Sequence, residues 1–393
     1  MYNYLIIGNG IAGLSAAEEI RKHNKDAKIL IVSEENQTTY WRTRLSDLIS
    51  KDFDKDKIWV KKDDWYKENN IDQMLATKVL KIDRANKKVS LEDGKTISFD
   101  KLLLATGAHA FIPPIKNISC KGVFAIRTSD DLIDFKTYIK DKSSLAVIGG
   151  GILGLEAAFS AKKLGLDVTV IESFDYLLSK QLDKELSLKL EEALNDLGIK
   201  TVKGKNTTEI LSEDGKVSGL KLEDGKVIEA SAVIVQAGVR SNIEMAKDSG
   251  LKTDRGILVD ESLATENPCI YAAGDNAQIG DFTIGLWTAS LEMGKIAGAN
   301  MTGDNLSYHK PKPFTTLMLG GIKLFSAGQN SGDGIKEERV EKDGKIYKLF
   351  KKDDKYVGGI LWQDIKYQND VKAIVFDNKD PKDTKLGKEI FDK

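Results

Sequence analysis

One signature occurs twice in this chain, and it leaves few folds open. Tyr4-Leu5-Ile6-Ile7 reads as a buried strand, followed by Gly8-Asn9-Gly10-Ile11-Ala12-Gly13, a helical stretch over 14–20, a strand over 29–32 and an acid, Glu34. The pattern returns as a strand over 145–148, Gly149-Gly150-Gly151-Ile152-Leu153-Gly154, a helix over 155–164 and a strand over 168–171 that ends at Glu172. Strand, GxGxxG, helix, strand and acid in that order form the fingerprint of a dinucleotide-binding unit. The glycines permit a tight turn, close approach of a pyrophosphate and close helix packing. N–H groups at the helix N-terminus receive phosphates, and the acid accepts hydrogen bonds from ribose hydroxyls. A ligand-free glycine-rich turn is the bland alternative for either copy alone. Matching downstream halves argue against it: Leu91-Glu92-Asp93-Gly94-Lys95 precedes a strand over 102–107, and Leu222-Glu223-Asp224-Gly225-Lys226 precedes one over 233–238. Asp-Gly pairs favour tight turns. The pattern predicts an internally duplicated nucleotide-binding domain.

At 393 residues the chain has room for two to three domains. After Gly238 it runs on to another strand, Ile270-Tyr271-Ala272-Ala273, with Gly274-Asp275 at its carboxyl end, and then to a helix over 289–301. Open parallel sheets bind ligands at the carboxyl ends of their strands, so Asp275 is expected to face the first nucleotide. This order predicts one duplicate inserted into the other, with residues 1–110 and 240–310 forming one domain and 111–239 the insert. Pro311-Lys312-Pro313 marks a boundary, and the alternating residues beyond it predict a small, strand-rich third domain over 311–393.

Composition removes other classes. Lys and Arg number 59 against 60 for Asp and Glu, a net charge of −1, so neither nucleic acid nor anionic lipid is an expected partner. The longest clean apolar stretch, 145–155, is too short and glycine-rich to span a bilayer. No signal sequence is read at the N-terminus, so a cytoplasmic location is expected. Cys120 and Cys269 are the only cysteines and form no CxxC pair; a disulfide framework, a zinc site and a dithiol redox pair are not expected. His23 and His109 match no metal spacing, His309 sits beside the third-domain boundary, and none of the three is expected to be catalytic.

On these residues the chain resembles the two-dinucleotide-domain flavoproteins of the pyridine nucleotide-disulfide oxidoreductase superfamily. Both fingerprints with Glu34 and Glu172, Leu104-Ala105-Thr106-Gly107-Ala108, Ala237-Gly238-Val239-Arg240 and Tyr271-Ala272-Ala273-Gly274-Asp275 carry the likeness. It implies an α/β fold of two Rossmann-like domains, one inserted in the other, plus a small C-terminal α+β interface domain. It further implies FAD on the N-terminal unit, held by Gly8, Gly10, Ile11, Ala12, Gly13, Glu34, Val79, Ala105, Thr106, Gly107, Gly274, Asp275, Trp287 and Thr288. NAD(H) would lie on the insert, held by Gly149, Gly151, Ile152, Leu153, Gly154, Glu156, Glu172 and Gly238. Glu172 would repel a 2′-phosphate, which favours NADH.

Disulfide reductases of the superfamily place a redox cysteine near the segment Tyr40-Trp41-Arg42-Thr43-Arg44-Leu45-Ser46-Asp47, and this chain has none there. The segment instead is similar to that of NADH-dependent rubredoxin and ferredoxin reductases, nearest the rubredoxin branch, and of the N-terminal flavoprotein part of nitrite reductase large subunits. By that likeness Arg42 contacts the FAD phosphates. Many ferredoxin reductases carry a lysine where Asp47 stands, paired with a glutamate matching Glu156. Two carboxylates there would repel, so Arg44 is expected to supply a cation or contact the flavin or nicotinamide. No catalytic acid is obligatory.

Without a redox cysteine or an iron site of its own, the chain is expected to pass electrons to a separate small iron protein, rubredoxin-like, met by Arg42, Arg44, Lys310 and Lys312. Alternatives are the NADH-oxidising flavoprotein subunit of a nitrite-reductase-like system and an NADH-responsive redox binding protein. The sequence does not fix the oligomeric state.

Overall fold

The apolar runs that lead into the two glycine loops become central strands of parallel sheets, buried on both faces as their composition requires. The computed structural model describes residues 1–52 and 57–391, and the chain divides into two units. Met1–Arg44, Asp52–Phe111 and Gly238–Lys310 make the first; Leu45–Lys51, Ile112–Ala237 and Pro311–Lys393 make the second. The last two residues of the expected 311–393 segment lie outside the described residues.

In the first unit the parallel sheet runs Ile71–Met74, Ile29–Val32, Tyr2–Ile7, Thr96–Leu104, Ile270–Ala272. Thr96–Leu104 also pairs at its start with an antiparallel hairpin, Val79–Asp83 and Lys88–Leu91. The second unit repeats the order with Ile199–Lys203, Asp167–Glu172, Ser144–Ile148, Val233–Val235, Val123–Phe124, all parallel. Its hairpin equivalent is the antiparallel set Thr207–Glu213, Lys216–Leu222, Val227–Glu229. The duplication is therefore present in topology as well as in sequence. Only the fifth strand differs in chain position: it comes last in the first unit and first in the second.

Two strands stop short of their sequence expectation, at Leu104 and Val235. The residues that follow turn under the glycine loops. A Cβ on Gly8 would lie 2.1 Å from the Ala105 carbonyl oxygen, and one on Gly149 would lie 2.3 Å from that of Gln236.

Helix Ile11–His23 packs on helix Trp287–Met301 in the first unit. Gly294 and Gly298 permit the approach, since a Cβ on them would sit 2.2 and 2.6 Å from the carbonyl oxygens of Ala12 and Ala16.

The C-terminal segment of the second unit forms an antiparallel sheet ordered Phe314–Leu319, Ile322–Gly328, Lys355–Trp362, Lys345–Lys352, Lys336–Lys342. Helix Gln368–Asp377 covers it through Val371 and Ile374, which pack with Phe325, Leu349 and Leu361. The strand-rich segment with its covering helix has the α+β build expected of it. Residues Leu45–Lys51 group with the second unit, where Lys136 Nζ donates to the carbonyls of Leu48 at 3.0 Å, Ile49 at 3.2 Å and Lys51. Among the described residues no helix is long and apolar enough to cross a membrane.

Candidate functional site

Both glycine loops are built alike. Gly8 and Gly149 adopt φ of +109° and +116°, which L side chains rarely take. A Cβ on Gly13 would lie 2.1 Å from the Gly8 carbonyl oxygen, and one on Gly154 would lie 2.0 Å from that of Gly149. The outer glycines are thus demanded by packing. The middle glycines, Gly10 and Gly151, have nothing within 4 Å of a Cβ position, so they keep open the space through which a pyrophosphate would approach. Each is the N-cap of its helix, with no side-chain cap bond and no acid in the first turn. The residues that begin the helices, Ile11 and Ala12 in the first unit and Ile152 and Leu153 in the second, offer N–H groups and the positive end of the dipole to an anion. Leu153 is 46% exposed.

Around the first loop the structure gathers Gly274, whose Cβ position is 3.1 Å from that of Ala12, and Asp275. The Asp275 carboxylate accepts from Ser290 Oγ at 3.1 Å, and its carbonyl accepts from Ser241 Oγ at 2.7 Å. Ala105, Thr106 and Gly107 follow the central strand: Ala105 N–H donates to Ile7 at 2.8 Å, and Thr106 Oγ1 donates to the Asn242 carbonyl at 3.1 Å. Val79 opens its hairpin strand, and Thr288 follows Trp287 in the first turn of its helix. Asp275→Ala is expected to weaken FAD retention ten- to a hundredfold, the loss of charge-assisted hydrogen bonds of about 1.5–3 kcal/mol. Flavin content after extensive dialysis checks this; full retention would remove Asp275 from the site.

Arg42 donates to Glu35 Oε1 at 2.5 Å and lies over the Tyr40 ring at 4.8 Å, while Tyr40 OH donates to Glu35 Oε2 at 2.6 Å. Burial opposes the Arg42 charge, yet Tyr40, Glu35 and Asp275 outweigh it and raise its pKa. Sequence reasoning missed Glu35. The sheet register shows why: Ile7 pairs with Val32 as Ile148 pairs with Ile171, so Ser33 holds in the first unit the place of Glu172 in the second. Glu34 falls one residue later, where its side chain is 64% exposed and pairs with Lys78 at 3.4 Å.

Glu172 itself is buried. Its oxygens accept from Gly150 N–H at 2.7 Å, Phe174 N–H at 2.9 Å and Ser173 Oγ at 3.2 Å. It ties the glycine loop to the strand end. Gly238, at φ +101°, accepts the Phe111 N–H at 2.9 Å through its carbonyl in the first unit.

Glu156 lies in helix Ile152–Lys163 and has no hydrogen bond or ion pair among the described residues. Burial, and secondarily Asp47, push its carboxyl up to about 7. The cation beside Asp47 is Lys51, at 2.5 Å; Arg44 turns instead to the Lys57 carbonyl at 3.2 Å. A carboxyl whose folded pKa exceeds its unfolded value loses stability as pH rises between the two. Stability is therefore expected to fall from pH 4.5 to about 7 on this account, by on the order of 2 kcal/mol after allowance for the exposed edge. Glu156→Gln should flatten that decline in urea unfolding at pH 5 and pH 8; an unchanged slope would mean Glu156 titrates normally.

Doubled glycine loops of this build, with one copy inserted in the other, define a fold of two dinucleotide-binding domains. Residues 2–294 match the pyridine nucleotide-disulphide oxidoreductase family, and the chain belongs to it. It is 33% identical over 353 residues to the NADH-rubredoxin oxidoreductase of Clostridium acetobutylicum, covering 90% of this chain and 86% of that one. It is 35% identical over 385 residues to a nitrite reductase of Bacillus subtilis, covering 97% of this chain and 48% of that one. The crystal structure of NADH:rubredoxin oxidoreductase from Clostridium acetobutylicum superimposes with a TM-score of 0.83 at 30% identity, covering 96% of both chains. The chain spans about half the length of its Bacillus subtilis relatives, 48% and 47%.

Proposed function

We propose that this chain is an NADH-dependent flavoprotein reductase that hands electrons to a small iron protein of the rubredoxin kind. The observation that carries this reading is the cysteine inventory. Cys120 and Cys269 are half-buried and free, and neither lies in the 40–47 segment, so the protein has no thiol relay there and its electrons leave to a separate acceptor. FAD fits the first unit and NAD(H) the second: each has an open middle glycine, an uncapped helix N-terminus and acids at strand ends. When bound, FAD accepts a hydride from NADH and releases electrons singly.

The residues bind and orient. The two helix N-termini hold the pyrophosphates, Asp275 holds a hydroxylated chain, and Arg42, kept charged by Glu35, meets phosphate. Glu172 sets nucleotide choice. A buried carboxylate bonds a free 2′-hydroxyl and repels a 2′-phosphate, so kcat/KM for NADH is expected to exceed that for NADPH by about a hundredfold. Equal values would remove Glu172 from the adenosine site.

A second reading, the flavoprotein part of a nitrite-reductase-like system, draws on the Bacillus subtilis relative aligned over 97% of this chain. Anaerobic NADH-driven reduction of rubredoxin, ferredoxin, quinone and a nitrite-reductase partner, with oxygen uptake measured in a separate aerobic assay, separates the two. The proposal expects rubredoxin to be reduced fastest, and a preference for the nitrite-reductase partner would overturn it.

A further inference from the structure

The C-terminal sheet of the second unit has two edges of opposite character. Lys336–Lys342 carries six charged side chains in seven residues, with Val340 among them, and charge at that density keeps a further strand from pairing. Phe314–Leu319, at the other edge, carries none. Lys312, just before it, gives no guard, because its ammonium turns to Asp377 at 2.7 Å and to the Phe376 carbonyl at 2.8 Å. Phe314–Leu319 pairs with Ile322–Gly328 alone, and among the described residues the N–H and C=O groups along its outer side have no backbone partner.

The register divides this strand between two faces. Phe314, Thr316 and Met318 stand opposite Ala327, Phe325 and Lys323, on the face where helix Gln368–Asp377 packs over Phe325. Leu317 and Leu319 point the other way and are buried. Gly320, which follows, abuts the inserted segment: a Cβ there would lie 2.6 Å from Leu197 and 2.8 Å from Phe159. The covering helix leaves the edge bare, for Phe314 is 48% and Met318 66% exposed, and Thr316 between them is exposed too. Phe314 is nonetheless held in place, its ring centroid 5.8 Å from that of Phe325 and 4.6 Å from the Lys372 ammonium. Apolar residues exposed singly are ordinary on a protein surface; two of them along an unpaired, uncharged strand mark a pairing edge.

The edge is complementary to itself. In an antiparallel partner, side chains keep their faces only when residues of like face stand opposite each other. A two-fold axis through Thr316 meets that condition: Phe314 of each copy faces Met318 of the other, Thr316 faces its own equivalent, and Thr315 faces Leu317. Ring–thioether contacts and Thr–Thr pairs are favourable across strands, and the pairing buries no charge from the strand.

We propose that Phe314–Leu319 pairs with the same strand of a second copy of this chain, joining the two C-terminal sheets into one. The two-fold uses up both bare edges and leaves the charged edges Lys336–Lys342 as the outer ends, so assembly closes at the dimer. Six residues from each copy make a small contact, and the dimer is accordingly reversible, with a dissociation constant in the micromolar range.

The test uses the full-length FAD-loaded protein in sedimentation equilibrium from about 2 to 200 µM, where the wild type should dimerise. Met318→Lys sets a charge against the second copy's Phe314 and should raise the dissociation constant at least tenfold, while Tm and NADH oxidation with ferricyanide stay as in the wild type. In the Cys120→Ser/Cys269→Ser background, Thr316→Cys should be joined into a covalent dimer by a short bismaleimide, and Lys342→Cys, on the charged edge, should not. A wild type that is monomeric throughout, a Met318→Lys dimer as tight as the wild type, a Thr316→Cys variant that does not cross-link, or species growing beyond the dimer would each overturn the proposal.

Discussion

Gly154→Ala is expected to cut NADH-driven turnover at least a hundredfold, whereas Gly151→Ala should weaken NADH binding without destabilising the protein. The two glycines are three residues apart, and their surroundings are opposite. At Gly154 a Cβ would lie 2.0 Å from the Gly149 carbonyl oxygen and 3.1 Å from its carbon. Both atoms are backbone, so the helix must be pushed off the loop that it terminates. Overpacking of this kind costs about 1–3 kcal/mol, occasionally more, and it moves the N–H groups that receive the phosphates. Loss of turnover by at least a hundredfold, with a lowered Tm, is the expected outcome. At Gly151, with nothing within 4 Å and an ordinary φ of −77°, an added methyl meets no protein atom and projects into the space left for the ligand. Tm should hold while the NADH concentration needed for half-maximal rate rises at least tenfold. Equal behaviour of the two variants would mean the loop has no ligand to accommodate.

Lys348→Ala is expected to destabilise the second unit by about 3–5 kcal/mol, seen as a Tm lower by roughly 10 °C. The side chain is 2% exposed, and its ammonium meets Asp183 at 2.7 Å, Glu185 at 2.6 Å and Glu337 at 3.2 Å. Burial opposes its charge, but these hydrogen bonds prevail and raise its pKa. Asp183 is also the N-cap of helix Lys184–Asp196, accepting from Leu186 N–H at 2.9 Å. The ammonium therefore joins the C-terminal sheet to a helix of the inserted segment. Removing it leaves three carboxylates facing one another, and Arg339, which binds Glu185 at 2.9 Å, is left to offset them. The sign with pH follows. Burial raises the Glu185 carboxyl, but Lys348 and Arg339 more than offset this and hold it below its ordinary 4.5. Its contribution is full above that pH and is lost as pH falls further, so the gap between wild type and variant should narrow in acid. A variant equally destabilised at pH 3.5 and pH 7 would place the effect in packing rather than charge.

The sequence made the doubled unit legible because its constraints are local. A glycine that must take positive φ, or that touches a neighbouring carbonyl, tolerates no substitute, and the strand before it must be apolar on both faces. What escaped depends on register or on contacts distant in sequence. Ser33, Glu34 and Glu35 follow one another, and only the pairing of Ile7 with Val32 tells which of them stands where Glu172 does. Arg44 and Lys312 read as free cations on the page, yet one goes to a carbonyl and the other to Asp377. Helix Trp287–Met301 begins two residues before its expected start, since the Trp41 ring that packs on Trp287 lies far away in the chain. Leu45–Lys51 groups with the second unit through packing of helix Leu45–Leu48 on helix Ile152–Lys163 and through Lys136, a lysine with no sequence mark to set it apart.

Bound flavin alone is expected to store the electrons taken from NADH. Anaerobic titration of the FAD-loaded protein with NADH, followed at the flavin absorbance, should give a single endpoint at one equivalent of NADH per FAD, unchanged in the double variant Cys120→Ser/Cys269→Ser. An endpoint at two equivalents that falls to one in that variant would contradict it, because a cysteine would then be holding the second electron pair.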